Sequence, residues 1–118
     1  MPKVRKLETR AGVYEPDLAF LCPACRCAHG VATGHGDRGW TWNGDAERPT
    51  ITPSVKVTGY EMNGEGLAML ERGEEPAVGE RYPGRDTCCH SNITDGWIEF
   101  CGDCTHGMVG QRVELPEF

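Results

Sequence analysis

Two Cys-x-x-Cys turns, Cys22-Pro-Ala-Cys25 and Cys101-Gly-Asp-Cys104, stand near opposite ends of the chain, and each has more cysteine and histidine beside it. The first continues as Arg26-Cys27-Ala28-His29, the second as Thr105-His106, and a third group, Cys88-Cys89-His90, lies between them. A Cys-x-x-Cys turn brings two thiolates close enough to share one tetrahedral ion, and two such turns far apart in sequence commonly close a four-thiolate zinc site. Seven cysteines cannot all pair within one chain, and cysteines kept in a reducing compartment serve more often as ligands than as disulfides.

The need for such a staple is visible in the composition. A chain of 118 residues, 38% of them hydrophobic, fits a single domain with a thin core, burying roughly 65% of its unfolded surface. Sixteen glycines and eight prolines leave little room for long helix. A structural zinc ion (Zn2+) offsets a modest core, since its binding contributes about 10 kcal/mol or more to folding.

Strand signals dominate the rest. Leu18-Ala-Phe-Leu21 is an apolar run entering the first cysteine turn, and residues 30–39, with His35, read as a Gly-rich loop. Trp40-Thr-Trp-Asn43 alternates as a strand does, with both indoles on one face and core packing the expected role. Thr50 to Thr58 is β-branched and alternating, with Pro53 confining that part to an edge or a bulge. Residues 61–87 read as an inserted loop, with a helical turn or two over 62–71 and a Gly/Pro/Glu-rich stretch after it. A last short strand is expected from Val109 to Leu115.

Asp95-Gly96 between alternating segments marks a two-residue type I′ hairpin. That turn sets the register, with Thr94 opposite Trp97, Asn92 opposite Glu99 and His90 opposite Cys101. The side-chain period of two places Ile93, Ile98, Phe100 and Cys89 on the core face, with Cys104 toward its open end. His90, Asn92, Trp97, Glu99 and Cys101 take the other face. The fold expected is a small, mostly β single domain over 1–118, built of short antiparallel strands and hairpins and pinned by a Cys/His zinc site.

The ligand set expected is Cys22, Cys25, Cys101 and Cys104, with Cys27, Cys89, His90 and His106 as alternatives. A thiolate-rich site saturated by protein is structural rather than catalytic. A second chemistry is present by residue type. Ser54, Asp103 and either His90 or His106 could form an acyl-transfer triad, in which a histidine takes the serine proton and a carboxylate orients that histidine. Their spacing does not show that they meet.

Charge and hydropathy exclude several classes. A net charge of −6 disfavours a nucleic-acid-binding zinc ribbon, which needs a clustered basic face. The only basic run, Lys3-Val-Arg5-Lys6, stands at a terminus expected to fray. No stretch approaches the roughly 20 apolar residues that cross a bilayer, and no signal-peptide core is present, so the expected location is the bacterial cytoplasm or a phage particle assembled there.

Five segments carry a family resemblance: Gly39-Trp-Thr-Trp-Asn-Gly-Asp45, Arg48-Pro-Thr-Ile-Thr-Pro-Ser-Val55, Cys89-His-Ser-Asn-Ile-Thr-Asp-Gly96, Gly102-Asp-Cys-Thr-His106 and Gly110-Gln-Arg-Val-Glu-Leu-Pro116. Together they resemble a family of small phage and prophage zinc-binding domains whose members often bear the automatic label ammonia monooxygenase. That label does not suit a short, thiolate-rich chain, because the true enzyme is membrane-bound and copper-dependent. Similar domains accompany bacterial ubiquitin-like conjugation genes, which implies a peptidase role on ubiquitin-like substrates. The resemblance also shifts metal weight toward Cys89 and His90 and leaves open whether Cys25 or Cys27 follows Cys22. The leading expectation is a phage-encoded zinc protein that contacts another protein, a virion component or host factor, through the acidic loop 61–87 or the tryptophan strand. The alternative is a hydrolase of the peptidase type using Ser54, His90 or His106, and Asp103, or an incompletely ligated zinc.

Overall fold

The computed structural model describes residues 1–118 as two antiparallel sheets with one short helix. The first sheet has the order β1-β2-β3, from Val4–Lys6, Leu18–Cys22 and Cys27–Val31. The second has the order β4-β5-β6-β7-β8, from Thr41–Trp42, Ile51–Met62, Gly84–Thr94, Trp97–Phe100 and Arg112–Glu114. The expected mostly β class is what forms.

The two sheets face each other through their apolar positions. Val4, Leu18, Phe20, Cys22 and Val31 from the first meet Ile51, Val55, Cys89, Ile93, Ile98 and Phe100 from the second, with Leu115 closing the cluster. Burying each large member contributes roughly 1.5–3 kcal/mol. Only 19 of 118 residues are buried, so the core is thin, and a cross-link between the sheets carries weight.

The hairpin at Asp95-Gly96 has the anticipated register: Thr94 pairs with Trp97, Asn92 with Glu99 and Ile93 with Ile98. Both turn residues have positive φ, 50° at Asp95 and 80° at Gly96, the type I′ requirement that glycine meets without strain. Pro53 lies in a register shift of β5 between Ile51 and Val55. A bulge is one of the few places a proline fits in an interior strand.

Three expectations change. The amino terminus does not fray: Lys3 N–H donates to Ala46 O at 2.8 Å and Val4 is buried against the core. The loop expected over residues 30–39 starts later, because Gly30 and Val31 complete strand β3, in which Cys27, His29 and Val31 alternate and pair with β2. Finally, the ends of the segment 61–87 are ladder rather than loop, with Glu61 opposite Arg85 and Met62 opposite Gly84. The helix expected near 62–71 is α1, Gly64–Glu71, and Asn63 caps it by accepting the Gly66 N–H at 2.9 Å.

Gly84 closes this long hairpin. A Cβ there would lie 2.1 Å from Glu61 O and 2.8 Å from Met62 Cα, so no other residue fits without parting the strands.

Candidate active site and metal centre

Strand β6 serves two sites, one on each face. Residues alternate along it, so Cys89 turns inward and is buried while His90 turns outward and is half-buried.

On the outer face, β5 supplies Ser54 and Lys56. Lys56 pairs with His90 in the ladder, and Ser54, two residues before it, shares its face. Ser54 Oγ lies 2.8 Å from His90 Nε2. His90 Nδ1 lies 3.0 Å and 3.1 Å from the two carboxylate oxygens of Asp103. The Trp40 indole N–H donates to Ser54 O at 3.2 Å and fixes the backbone beside the bulge.

Asp103 reaches His90 because the second Cys-x-x-Cys folds into a turn docked on β6. The Cys101 N–H donates to His90 O at 2.8 Å, and the Cys104 N–H closes the turn onto Cys101 O at 3.3 Å. Cys104 Sγ accepts the His90 N–H and donates to His90 O, both at 3.2 Å. The Cys101 main chain and the Cys104 sulfur therefore frame the histidine and present Asp103 to it, with no contact from the Cys101 side chain. His106 is not the triad histidine. Its Nδ1 accepts the Met108 N–H at 3.2 Å and its ring stands edge-on to Phe100.

The electrostatics suit a general base. Partial burial would raise the Asp103 carboxyl, but the His90 ring, its own backbone amide and the Lys56 ammonium hold it below its usual range. Lys56 Nζ lies 3.4 Å from Asp103 Oδ2. The carboxylate is charged at neutral pH and holds the proton of His90 on Nδ1, leaving Nε2 free to accept from Ser54.

On the inner face, Cys22, Cys25, His29 and Cys89 bring four ligand atoms within 4.8 Å of one another. Cys22 ends β2, Cys25 lies in the turn, His29 is on β3 and Cys89 comes from the second sheet. Cys22 and Cys25 stand together in this group. Cys101 and Cys104 do not complete this group: the register sends Cys101 to the outer face, and Cys104 is engaged with the His90 backbone. Cys89, an alternative from sequence, and His29, which was not among the expected ligands, take those places. Cys27 is exposed and outside the group. The signal for His29 was the alternation of Cys27, His29 and Val31, hidden by the glycine that follows.

The inner group fits a metal by its own chemistry. His29 Nε2 is buried with no hydrogen-bond partner, a costly state unless something binds it. Burial pushes the Cys22 thiol up, but the His29 imidazole and the Cys25 and Ala24 amides outweigh it and bring the thiol down to about 7. Burial and the Cys22 charge push Cys25 up to about 11, and they push Cys89 up as well. Three sulfurs this close, with Cys22 Sγ 3.8 Å from Cys89 Sγ, favour a cation that would let all of them ionise.

The largest cavity, about 470 Å³, opens beside this group and is lined by Cys25, Cys27, His29, Cys89 and His106 among others. Ser54, His90 and Asp103 do not line it; the triad lies on an open face.

On a small antiparallel β scaffold, Ser54, His90 and Asp103 thus form the serine–histidine–aspartate array of contacts that acyl-transfer chemistry uses. Residues 3–101 match the model of the family described as bacterial ubiquitination-like system serine protease, BubE. The chain belongs to that family. The match spans Ser54, His90 and all four inner donors, and ends two residues short of Asp103, whose place is given by geometry. No curated protein and no solved structure matches the chain. No helix is long and apolar enough to cross a membrane.

Proposed function

We propose that this protein is a serine peptidase in which Ser54 is the nucleophile, His90 the general base and Asp103 the group that orients it. The observation that carries this reading is the chain of contacts from Ser54 Oγ to His90 Nε2 at 2.8 Å and from His90 Nδ1 to Asp103 at 3.0 Å. The spacing of these residues does not announce their meeting, and it is their contact in the fold that supports this reading over a non-catalytic binding module.

Ser54 Oγ attacks the scissile carbonyl as its proton passes to His90 Nε2. Asp103 stabilises the imidazolium so formed and holds its ring in the orientation that faces the serine. His90 then returns the proton to the leaving amine, and a water deprotonated by the same nitrogen releases the acyl group from Ser54. The open face around the triad suits an extended segment of a protein better than a small molecule, which is usually enclosed in a cleft. The family description supports a substrate from a ubiquitin-like conjugation system.

The inner site is a structural zinc centre held by Cys22, Cys25, His29 and Cys89. Mixed sulfur and nitrogen donors in fourfold number suit zinc. When bound, the ion ties the two sheets together and supplies no step of the reaction.

The test is covalent labelling with a fluorophosphonate probe, with the adduct located by peptide mass spectrometry. The expected adduct is on Ser54 and is absent in Ser54→Ala. Asp103→Asn lowers peptidase kcat by a factor on the order of 10⁴ through the wrong histidine tautomer. Full turnover in Ser54→Ala would sink the assignment.

A further inference from the structure

A second set of donors lies on the outer face and includes the triad itself. His90, Cys101 and Asp103 bring an imidazole nitrogen, a thiol sulfur and a carboxylate oxygen within 4.8 Å of one another. The hairpin register sets His90 opposite Cys101, and the turn 101–104 folds Asp103 over them. Cys101 plays no part in the proton path. The contact its sulfur makes is with the Asn92 Nδ2–H, at 3.5 Å.

We propose that a thiophilic divalent cation, zinc above all, binds between His90 Nδ1, the Cys101 sulfur and the Asp103 carboxylate, and holds His90 in the tautomer that cannot accept the Ser54 proton. Imidazole nitrogen, thiolate sulfur and carboxylate oxygen are all zinc donors, and three protein ligands leave the fourth position for a water. On binding, the Cys101 thiol gives up its proton to solvent, and the His90 proton leaves Nδ1 for Nε2. The metal then occupies the Nδ1 lone pair, and Nε2–H faces Ser54 as a donor rather than an acceptor. Metal binding and general-base action therefore exclude each other at a single ring. The Asp103 carboxylate, which orients the base in the active form, becomes a ligand in the silent one.

The inhibitory consequence rests on the triad reading above, whereas the site itself does not. Lys56 sets the threshold. Its ammonium, 3.4 Å from Asp103 Oδ2, repels a dication and must swing away on its exposed stem. The site is consequently one for a raised free-zinc level, filled after the four-donor inner centre.

The experiment titrates Zn2+ into protein whose inner centre is already loaded. Bound metal is counted by native mass spectrometry, and the His90 ring is followed by ¹⁵N NMR. A second equivalent is expected, with the His90 signals moving from the Nδ1–H to the Nε2–H pattern. Fluorophosphonate labelling of Ser54 should fall in step with occupancy. Cys101→Ser should weaken the second equivalent by at least the roughly 10–100-fold that even an outer partner of a metal ligand is worth, while labelling in its absence stays at the wild-type rate. Lys56→Met should tighten it, and it carries the test alone should Cys101→Ser not fold. A single equivalent, or a second one unmoved by either variant, would overturn the proposal. Absence of any Ser54 adduct in metal-limited protein, with the tautomer shift intact, would instead remove the protease reading and leave the site standing.

Discussion

Cys89 and His90 are neighbours in the chain that look to opposite sides of β6, and this pair joins the inner centre to the outer chemistry. Asp103 contributes to both order and charge on the outer side. Its carboxyl is depressed in the fold because the stabilising contacts with His90, the backbone and Lys56 exceed the cost of partial burial. A group lowered in this way gives stability that is complete above its unfolded value, ordinarily 3.8, and is lost as pH falls through the folded value. The Asp103–His90 contact is therefore intact throughout the neutral range and is titrated away only in acid. By ¹³C NMR of the carboxyl, the wild-type midpoint should lie below 3.8, and His90→Ala should move it upward. A wild-type midpoint at or above that value would mean that the contact does not persist in solution.

At the level of elements, the hairpin around Asp95-Gly96 was legible from two residues, because a type I′ turn dictates register and register dictates faces. The same rule of alternation already separated Cys101 from Cys89. It told against Cys101 as a partner for the buried Cys22, although matching Cys-x-x-Cys pairs suggested otherwise. What the sequence concealed was long-range. The docking of the turn 101–104 on His90 depends on Cys104 sulfur bonds to the β6 backbone, and no local pattern announces such contacts. Likewise β3 was masked by glycines, and with it His29. The long β5–β6 hairpin was hidden because its outer end is held by exposed pairs, such as Arg85 with Glu61 at 3.3 Å, rather than by apolar alternation. Gly84 locks that end. Gly84→Ala should cost about 1–3 kcal/mol, the usual range for overpacking, read as a lower urea midpoint. Because the triad lies at the other end of the ladder, Ser54 labelling should persist in the folded variant, and its loss there would mean that the hairpin tip and the triad are coupled.

For the whole molecule, the decisive fact is that two sheets with few buried residues bring four potential metal donors together, three from the first sheet and its turn and one from the second. Burial of Phe20, Ile93, Ile98 and Phe100 alone leaves little margin against the conformational entropy of a chain this long, whereas a structural zinc ion adds about 10 kcal/mol or more. The triad depends on that joint, because Cys89 anchors the very strand that carries His90. Removing the metal with a strong chelator should abolish the near-UV circular dichroism of the tryptophans and the labelling of Ser54 together, with one midpoint for both. Cys89→Ser and His29→Ala should each reproduce the loss, while Cys27→Ser should retain metal, fold and labelling. Had the ion taken part in bond cleavage, the chelated protein would lose turnover with its tertiary signal intact. Coincident loss is the mark of a centre that holds the catalytic strand in place, and separate midpoints would transfer the ion from architecture to chemistry.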